Sequence, residues 1–387
     1  MAAEPAGPLA RTPEEWVEVL RPLGGRAFHA KQLFRWVQAR SVFDPAKMTD
    51  LPGPLRTRLE AIELPRTLEI TEERRAADDT RKLLVRMRDG ATVETVLIPG
   101  VTGPKGQLPA PVEAMEEGDS DDEEEDGPEP DAPVRVTQCI STQVGCAMGC
   151  VFCASGVAGL KRNLGADEIV AQVLAGRARL DAGERLSNVV YMGMGEPLAN
   201  YEATARSLRL LTHPDGIALS ARRITVSTSG LVPEIARLGS DFGGRIGLAI
   251  SLHAADDETR TRLMPINKKY PLPVLMDSLR AYPLFARRRI TIEYTLVAGK
   301  NDEPGEARKL VKLLRSLPVK VNLIPMNPIA ASSLGPPDLR GVLEFQRILC
   351  DAGYSCFIRR RRGDDVAAAC GQLALLGAKP KVRVDRT

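Results

Sequence analysis

Four of the seven cysteines fall between positions 139 and 153, and three of them, Cys146, Cys150 and Cys153, form a CxxxCxxC run with Gly145 and Gly149 interleaved. Thiolates at this spacing in a glycine-bearing loop can each take one iron of a cubane cluster, leaving the fourth iron open to a small chelating ligand. The alternative is a zinc knuckle closed by Cys139 or by a remote ligand, since no neighbouring histidine completes a tetrahedron. Cys139 ends a β-branched run. Cys370 follows Ala367-Ala368-Ala369, where a small buried hydrophobe competes with a reactive thiol. His253 is one of only three histidines, which leaves little imidazole for acid–base work elsewhere.

The elements that must position these residues alternate. From Val134 onward, short β-branched runs predict strands over 134–140, 188–192, 223–226, 245–251, 290–297, 319–324 and 354–358. Between them amphipathic patterns predict helices, among them 167–180, 272–281, 306–317 and 339–352. Repeated βα units imply an α/β fold with a parallel sheet, and six or seven units fall short of the eight that close a full barrel. A partial, open (β/α)6-type barrel is expected, with its working residues at the C-terminal ends of the strands.

Upstream, Thr12 can cap a helix that begins at Pro13, with Glu14 and Glu15 against its dipole, and a second helix is expected over 28–38. This N-terminal unit reads equally as a packing domain or as an RNA-docking one. Residues 81–88 and 92–98 flank Asp89-Gly90, a hairpin signal, with Glu94 inside the second strand. The expected organisation is a helical accessory domain over 1–70, a β-hairpin and linker over 71–112, an acidic disordered loop over 113–131, the barrel over 132–376 and a basic tail over 377–387.

Composition narrows the class. No run of eighteen apolar residues offers a membrane span, and the N-terminus lacks an apolar signal region, so a soluble protein of the cytoplasm is expected. An odd cysteine count there argues against a disulfide framework. The net charge of +3 hides an asymmetry: positions 113–131 hold twelve acidic side chains and no Lys or Arg, and the remainder holds 53 basic against 38 acidic. A body with an excess of fifteen positive charges suggests a polyanionic partner such as nucleic acid.

The run Cys146-Ala147-Met148-Gly149-Cys150-Val151-Phe152-Cys153 resembles the radical S-adenosylmethionine (SAM) superfamily, and the wider sequence is similar to the RlmN and Cfr RNA adenosine methyltransferases. The similarity runs through Cys139-Ile140-Ser141-Thr142-Gln143-Val144-Gly145-Cys146, Gly193-Met194-Gly195-Glu196-Pro197, Ile250-Ser251-Leu252-His253-Ala254 and Pro265-Ile266-Asn267-Lys268-Lys269-Tyr270. It continues through Asn322-Leu323-Ile324-Pro325, Arg362-Gly363-Asp364-Asp365 and Cys370-Gly371-Gln372-Leu373. The chain departs from that pattern in its longer acidic insert and in Met326, which stands where an aromatic often precedes Asn327-Pro328.

The resemblance implies a radical SAM barrel in which Cys146, Cys150 and Cys153 hold a [4Fe-4S] cluster. It implies that Gly195, Glu196, Ser227, Ser251, Leu252, His253 and Asn327 bind SAM, whose ammonium, carboxylate and ribose a carboxylate, hydroxyls and an amide can satisfy. It further implies that Cys370 carries the methyl group, Cys139 resolves the thioether and Glu94 accepts the proton. Adenine C2 has no lone pair with which to attack a methyl group. The implied route therefore uses two SAM molecules per turnover: one methylates Cys370, and the other is cleaved to a radical that takes hydrogen from the S-methyl group. The carbon adds to C2, an electron leaves the adduct, Glu94 removes the C2 proton, Cys139 attacks the Cys370 sulfur, and an external reductant of the flavodoxin type resets the disulfide. The implied substrates are 23S rRNA at the peptidyl-transferase centre and the adenosine 3′ of the tRNA anticodon, with C8 methylation of the same rRNA adenosine as the alternative. A monomer is expected. Arg222, Arg223, Lys268, Lys269, Arg287 to Arg289 and Arg359 to Arg362 are candidate phosphate contacts, and the target base must leave its stack to reach the barrel mouth. Cys350 and Cys356 match no position of the pattern and are expected in the core.

Overall fold

A computed structural model describes residues 7–62, 64, 67–100, 133–285 and 287–373. The acidic loop expected over 113–131 and the tail over 377–387 lie outside these residues.

Ten strands form one sheet: β1 (Leu68–Arg75), β2 (Arg81–Met87), β3 (Thr92–Pro99), β4 (Val134–Cys139), β7 (Glu184–Tyr191), β8 (Ile224–Thr228), β9 (Gly247–Ser251), β10 (Ile290–Leu296), β11 (Val319–Pro325) and β12 (Ser355–Ile358), paired in that order. Two short strands, β5 (Gln143–Val144) and β6 (Arg162–Asn163), pair separately. From β4 to β12 every pairing is parallel. Parallel strands of a curled sheet are buried on both faces, outside by their crossover helices and inside by the barrel interior, so they read as continuous apolar runs; all seven residues of β10 are buried. The crossovers carry α4 (Ala154–Ala158), α5 (Ala166–Arg177), α6 (Tyr201–Leu211), α7 (Val232–Phe242), α8 (Asp257–Leu263), α9 (Leu272–Arg280), α10 (Pro304–Leu313) and α11 (Leu339–Asp351). Six crossovers join seven parallel strands, the open α/β array that the sequence predicts.

The array does not close on itself. The edge of β4 that a full barrel would pair with β12 is taken by β3, running antiparallel. The hairpin falls where Asp89-Gly90 predicts it: Gly90 has φ +81°, and the Asp89 carboxylate accepts the Ala91 N–H at 3.0 Å. It is one part of a three-stranded meander continuous with the barrel sheet rather than a separate hairpin and linker. Its outer strand, β1, is a polar and largely exposed edge with no apolar alternation to announce it.

At the N-terminus α1 (Pro13–Leu20), α2 (Ala27–Phe34) and α3 (Gly53–Glu60) form the helical unit. Thr12 and Glu15 make a reciprocal capping box, with Thr12 N–H donating to Glu15 Oε2 at 2.9 Å. The second expected helix ends at Phe34 and continues as a π-helical turn over Arg35–Ala39. Trp16, Leu20, Leu33 and Phe34 are fully buried and belong to the same core as the barrel. Arg206 of α6 holds this unit down, donating to Ala10 O at 2.7 Å and pairing with Glu15. Cys356 is buried as expected, whereas Cys350 is exposed, because the face of α11 turned inward is that of Val342, Phe345 and Leu349. No helix among the described residues is long and apolar enough to cross a membrane.

Candidate active site

Residues from the ends of β7, β8, β9, β10 and β11 line one cavity together with the three cysteines of the loop after β4. In a flat sheet with strands about 4.8 Å apart, the ends of β4 through β11 would spread over roughly 24 Å, so their meeting requires the sheet to curl. Cys146, Cys150, Cys153, Gly195, Glu196, Ser227, Ser251, His253, Asn327 and Cys370 all face this space. The sequence singles out each of them.

The cysteine loop turns at Gly145 (φ +81°) and Gly149 (φ +67°), conformations that cost little only for glycine. Burial pushes the Cys146 thiol up to about 12 and the Cys150 and Cys153 thiols upward as well; the Cys153 thiolate further raises Cys146 and Cys150, and Cys146 raises Cys150. Three thiolates in such a place require a positive partner. Among the described residues no set of three His, Cys, Asp or Glu side chains converges on a point suited to a single ion. Three thiols that line one cavity can each take a different iron of a cluster, and a [4Fe-4S] core with one open iron fits this donor set.

Opposite the loop, Glu196 is buried, and its two carboxylate oxygens accept the backbone N–H groups of Leu198 at 3.0 Å and Ser229 at 2.7 Å. Desolvation raises its pKa while these hydrogen bonds oppose the rise. Gly195 (φ +106°) is obligatory, because a Cβ there would stand 2.6 Å from the Gln143 side chain, whose Oε1 accepts the Glu196 N–H. His253 accepts the Thr295 N–H on Nδ1 at 2.9 Å and packs edge-on against Phe152. Burial and the Arg260 cation lower its pKa to about 3, so the ring is neutral, carries its proton on Nε2 and acts as a fixed donor. Ser227 Oγ and Ser251 Oγ stand 3.5 Å apart on neighbouring strand ends. Leu252 does not line the cavity: its side chain is buried, its N–H donates to Glu293 O and its carbonyl accepts from Arg260 Nε.

A second cavity adjoins the first and shares Met192, Ile324, Asn327, Arg359 and Cys370 with it. It occupies the seam of the open array. Ile98, Thr137 and Cys139 come from the β3–β4 side, and Arg359 to Arg362 with Ala368 to Cys370 come from beyond β12. Cys139 is buried; desolvation, and then the Cys370 thiolate, push its thiol up to about 12 against the opposing pull of Arg359. Cys370 is exposed, which removes the buried-hydrophobe alternative. Its segment is stitched to the cysteine loop: Asn327 Nδ2 donates to Cys370 O at 2.9 Å, Ala154 N–H to Gly371 O at 2.8 Å, and Ser155 Oγ to Leu373 O at 2.6 Å.

Glu94 lines neither cavity. Nor is it on a solvated face as a lone hairpin carboxylate would be: it is buried, and Lys82 Nζ bridges it at 2.9 Å and Ala367 O at 3.2 Å, tying β3 to the segment that carries Cys370. The basic residues divide. Arg359 to Arg362 follow β12 and rim the seam, and Lys268 and Lys269 are exposed beyond the C-terminal end of β9. Arg222 and Arg223 immediately precede β8, and Arg287 to Arg289 precede β10. These five therefore sit at the opposite end of the parallel strands and cannot hold RNA at the cavity mouth; Arg288 there donates to the carbonyls of Arg245 and Arg222.

Sequence reading misses Glu293 of β10, a buried carboxylate on the cavity wall that accepts from Asn322 Nδ2 at 3.0 Å and stands 3.9 Å from Arg359. The signal was available, since it is the one charge in the fully buried run Ile290–Leu296.

Comparison with known proteins agrees with this geometry. A profile described as the radical SAM superfamily matches residues 140–311, and one described as a ribosomal RNA large subunit methyltransferase N-terminal domain matches residues 11–64. The dual-specificity RNA methyltransferase RlmN of Sorangium cellulosum is 67% identical over 99% of both chains. The protein of the same name from Syntrophobacter fumaroxidans is 44% identical over 93% of this chain and 94% of its own. A crystal structure of a radical SAM methyltransferase from Sphaerobacter thermophilus superposes with a TM-score of 0.81 at 41% identity, covering 95% of this chain and 99% of that one. On this identity and on the shared fold, the chain belongs to the RlmN family of radical SAM methyltransferases.

Proposed function

We propose that the protein methylates C2 of adenosine in RNA: in 23S rRNA at the peptidyl-transferase centre, and in tRNA at the adenosine 3′ of the anticodon. The observation that carries this reading is the meeting of Cys139 and Cys370 in one seam, beside a cavity lined by three further thiols. A carbon without a lone pair cannot take a methyl group by simple displacement, and a pair of sulfurs supplies both the carrier and the means of release.

When bound, the [4Fe-4S] cluster and SAM supply the methyl group and the one-electron chemistry that an electron-poor carbon demands. Cys146, Cys150 and Cys153 hold the cluster. Glu196, Ser227, Ser251, His253 and Asn327, with the backbone at Gly195, bind and orient SAM, while Leu252 holds the wall behind them. Cys370 accepts one methyl group and presents it where the two cavities join. Once its sulfur is linked through that carbon to adenine C2 and one electron has left the adduct, Glu94 receives the C2 proton, with Lys82 holding Glu94 against the segment that carries Cys370. Cys139 then attacks the Cys370 sulfur: an S–S bond forms, the sulfur–carbon bond breaks, and the released carbon takes a proton to become the methyl group. Two electrons from an external flavodoxin-type reductant restore both thiols. Burial of Cys139 guards it from exchange with solvent thiols until Cys370 is loaded. The protein is read as a cytoplasmic monomer, a compartment in which a catalytic disulfide stays transient.

The test is nucleoside mass spectrometry of rRNA fragments and tRNA incubated with reconstituted enzyme, SAM and reductant. The expected product is 2-methyladenosine in both RNAs; 8-methyladenosine, or no modified adenosine, contradicts the reading.

A further inference from the structure

Arg260 is the most deeply enclosed cation near the site, with none of its residue surface exposed. It projects from α8 behind the cavity wall. Its Nε donates to Leu252 O at 3.1 Å, and one terminal nitrogen donates to Ser229 O at 2.7 Å and Ser251 O at 3.3 Å. The other donates to Asn267 Oδ1 at 2.9 Å. All four acceptors are neutral. The nearest carboxylate on its own helix, Asp257, is reached only through Asn267, whose Nδ2 donates to it at 2.9 Å. A guanidinium held in the interior without an anion in contact is expensive, and structures keep such a charge where a counter-charge is bound.

The side on which that counter-charge would lie is marked by the cysteine loop. Val151 N–H donates to Leu263 O at 3.2 Å, which ties the residue after Cys150 to the end of the helix that carries Arg260. The electrostatic partner of Arg260 across this contact is Cys150, while Glu196 opposes it with negative charge on the far side of the cavity.

We infer that Arg260 is the built-in counter-charge of the iron–sulfur cluster and sets its reduction potential. A cubane held by three thiolates is anionic, and its negative charge grows by one when a single electron enters from the reductant, with no proton taken up. A buried cation close to it stabilises the reduced form more than the oxidised one, and net local charge is one of the levers on such potentials. Arg260 is a positioning residue in this account: it touches the loops that form the wall, and acts on the cluster through the field it holds there.

The inference rests on Cys146, Cys150 and Cys153 holding a cluster. Failure of that premise would appear as wild-type protein without iron, whereas failure here appears as iron-loaded variants with the wild-type potential. The experiment compares wild type, Arg260→Lys and Arg260→Gln, reconstituted anaerobically without SAM, by iron analysis and by redox titration followed by electron paramagnetic resonance. Thermal melting of the apo-proteins checks the fold. Arg260→Gln should lower the equilibrium constant for one-electron reduction about tenfold, which is about 59 mV. Arg260→Lys, which keeps the charge but not the fork of hydrogen bonds, should stay within about twofold of wild type. An unchanged potential in iron-loaded Arg260→Gln overturns the inference, and so do equal shifts in the two variants, because they would assign the effect to hydrogen bonding. If Arg260→Gln does not fold, Arg260→Met takes its place under the same criteria, and a tenfold loss in Arg260→Lys overturns the inference in either case.

Discussion

The site uses two sets of cysteines that the chain assembles in opposite ways. Cys146, Cys150 and Cys153 come from one loop, and two left-handed glycines suffice to turn them toward a common cavity. Cys139 and Cys370 come from the first parallel strand and from beyond the last, and they meet only because the sheet curls and leaves a seam between its ends. The first set depends on local geometry and the second on the whole fold. The seam itself exists because β3, and not β12, pairs with β4, so the meander holds open the gap that the two sulfurs line.

The sharpest break in this comparison is Cys150→Ala. Loss of one of three thiolates should abolish iron binding and all methylation, while circular dichroism and melting remain close to wild type because the curl does not depend on the loop. Iron analysis of anaerobic protein gives the answer, and full iron occupancy in the variant would remove the loop from its assigned role.

A smaller effect is expected from Glu94→Gln, which keeps the shape of the buried side chain beside Lys82 but removes its basicity. Turnover should fall by about 10²-fold, the ordinary contribution of a proton acceptor, with iron content unchanged and Cys370 still methylated in peptide mass spectra. Undiminished turnover would place the proton acceptor elsewhere, and Glu293 on the cavity wall would be the next candidate.

The least effect separates the two ends of the strands. Arg360→Ala, at the rim of the seam, should weaken RNA binding and reduce the salt slope by about 1, as loss of one phosphate contact does. Arg222→Ala, at the opposite end, should change neither. Equal losses in the two variants would mean that RNA wraps both ends of the barrel.

How much of this was legible in the sequence follows the same division. The cysteine loop could be read because its spacing is local, and the strands because each announces itself by apolar content, whereas the roles of the strand-end residues were legible only through the resemblance to the family. The alternation of strands and helices carried the parallel array, but β1 is polar and exposed and gave no periodic signal. The division of the basic residues was hidden for a different reason. Charge is counted along the chain, whereas whether an arginine stands before or after its strand decides which end of the barrel it occupies. Arg260 gave no sign at all, since an arginine in a short polar helix ordinarily faces solvent, and only tertiary packing turns this one inward. Glu94 was legible as a residue but not as a buried partner of Lys82, a contact that depends on the register between β2 and β3.

The central claim is that the two seam sulfurs work as carrier and resolver. Its most direct test is Cys139→Ala purified from cells that contain its RNA substrates. Because Cys139 acts only in the last step, the variant should still load Cys370 and attack the base, then fail to release it. The account predicts protein of normal fold carrying RNA that survives denaturant and reductant. After nuclease digestion, peptide mass spectrometry should locate the adduct on Cys370, and a further Cys370→Ala change should eliminate it. Normal turnover by Cys139→Ala, or inactive protein with no covalent RNA, would contradict the account.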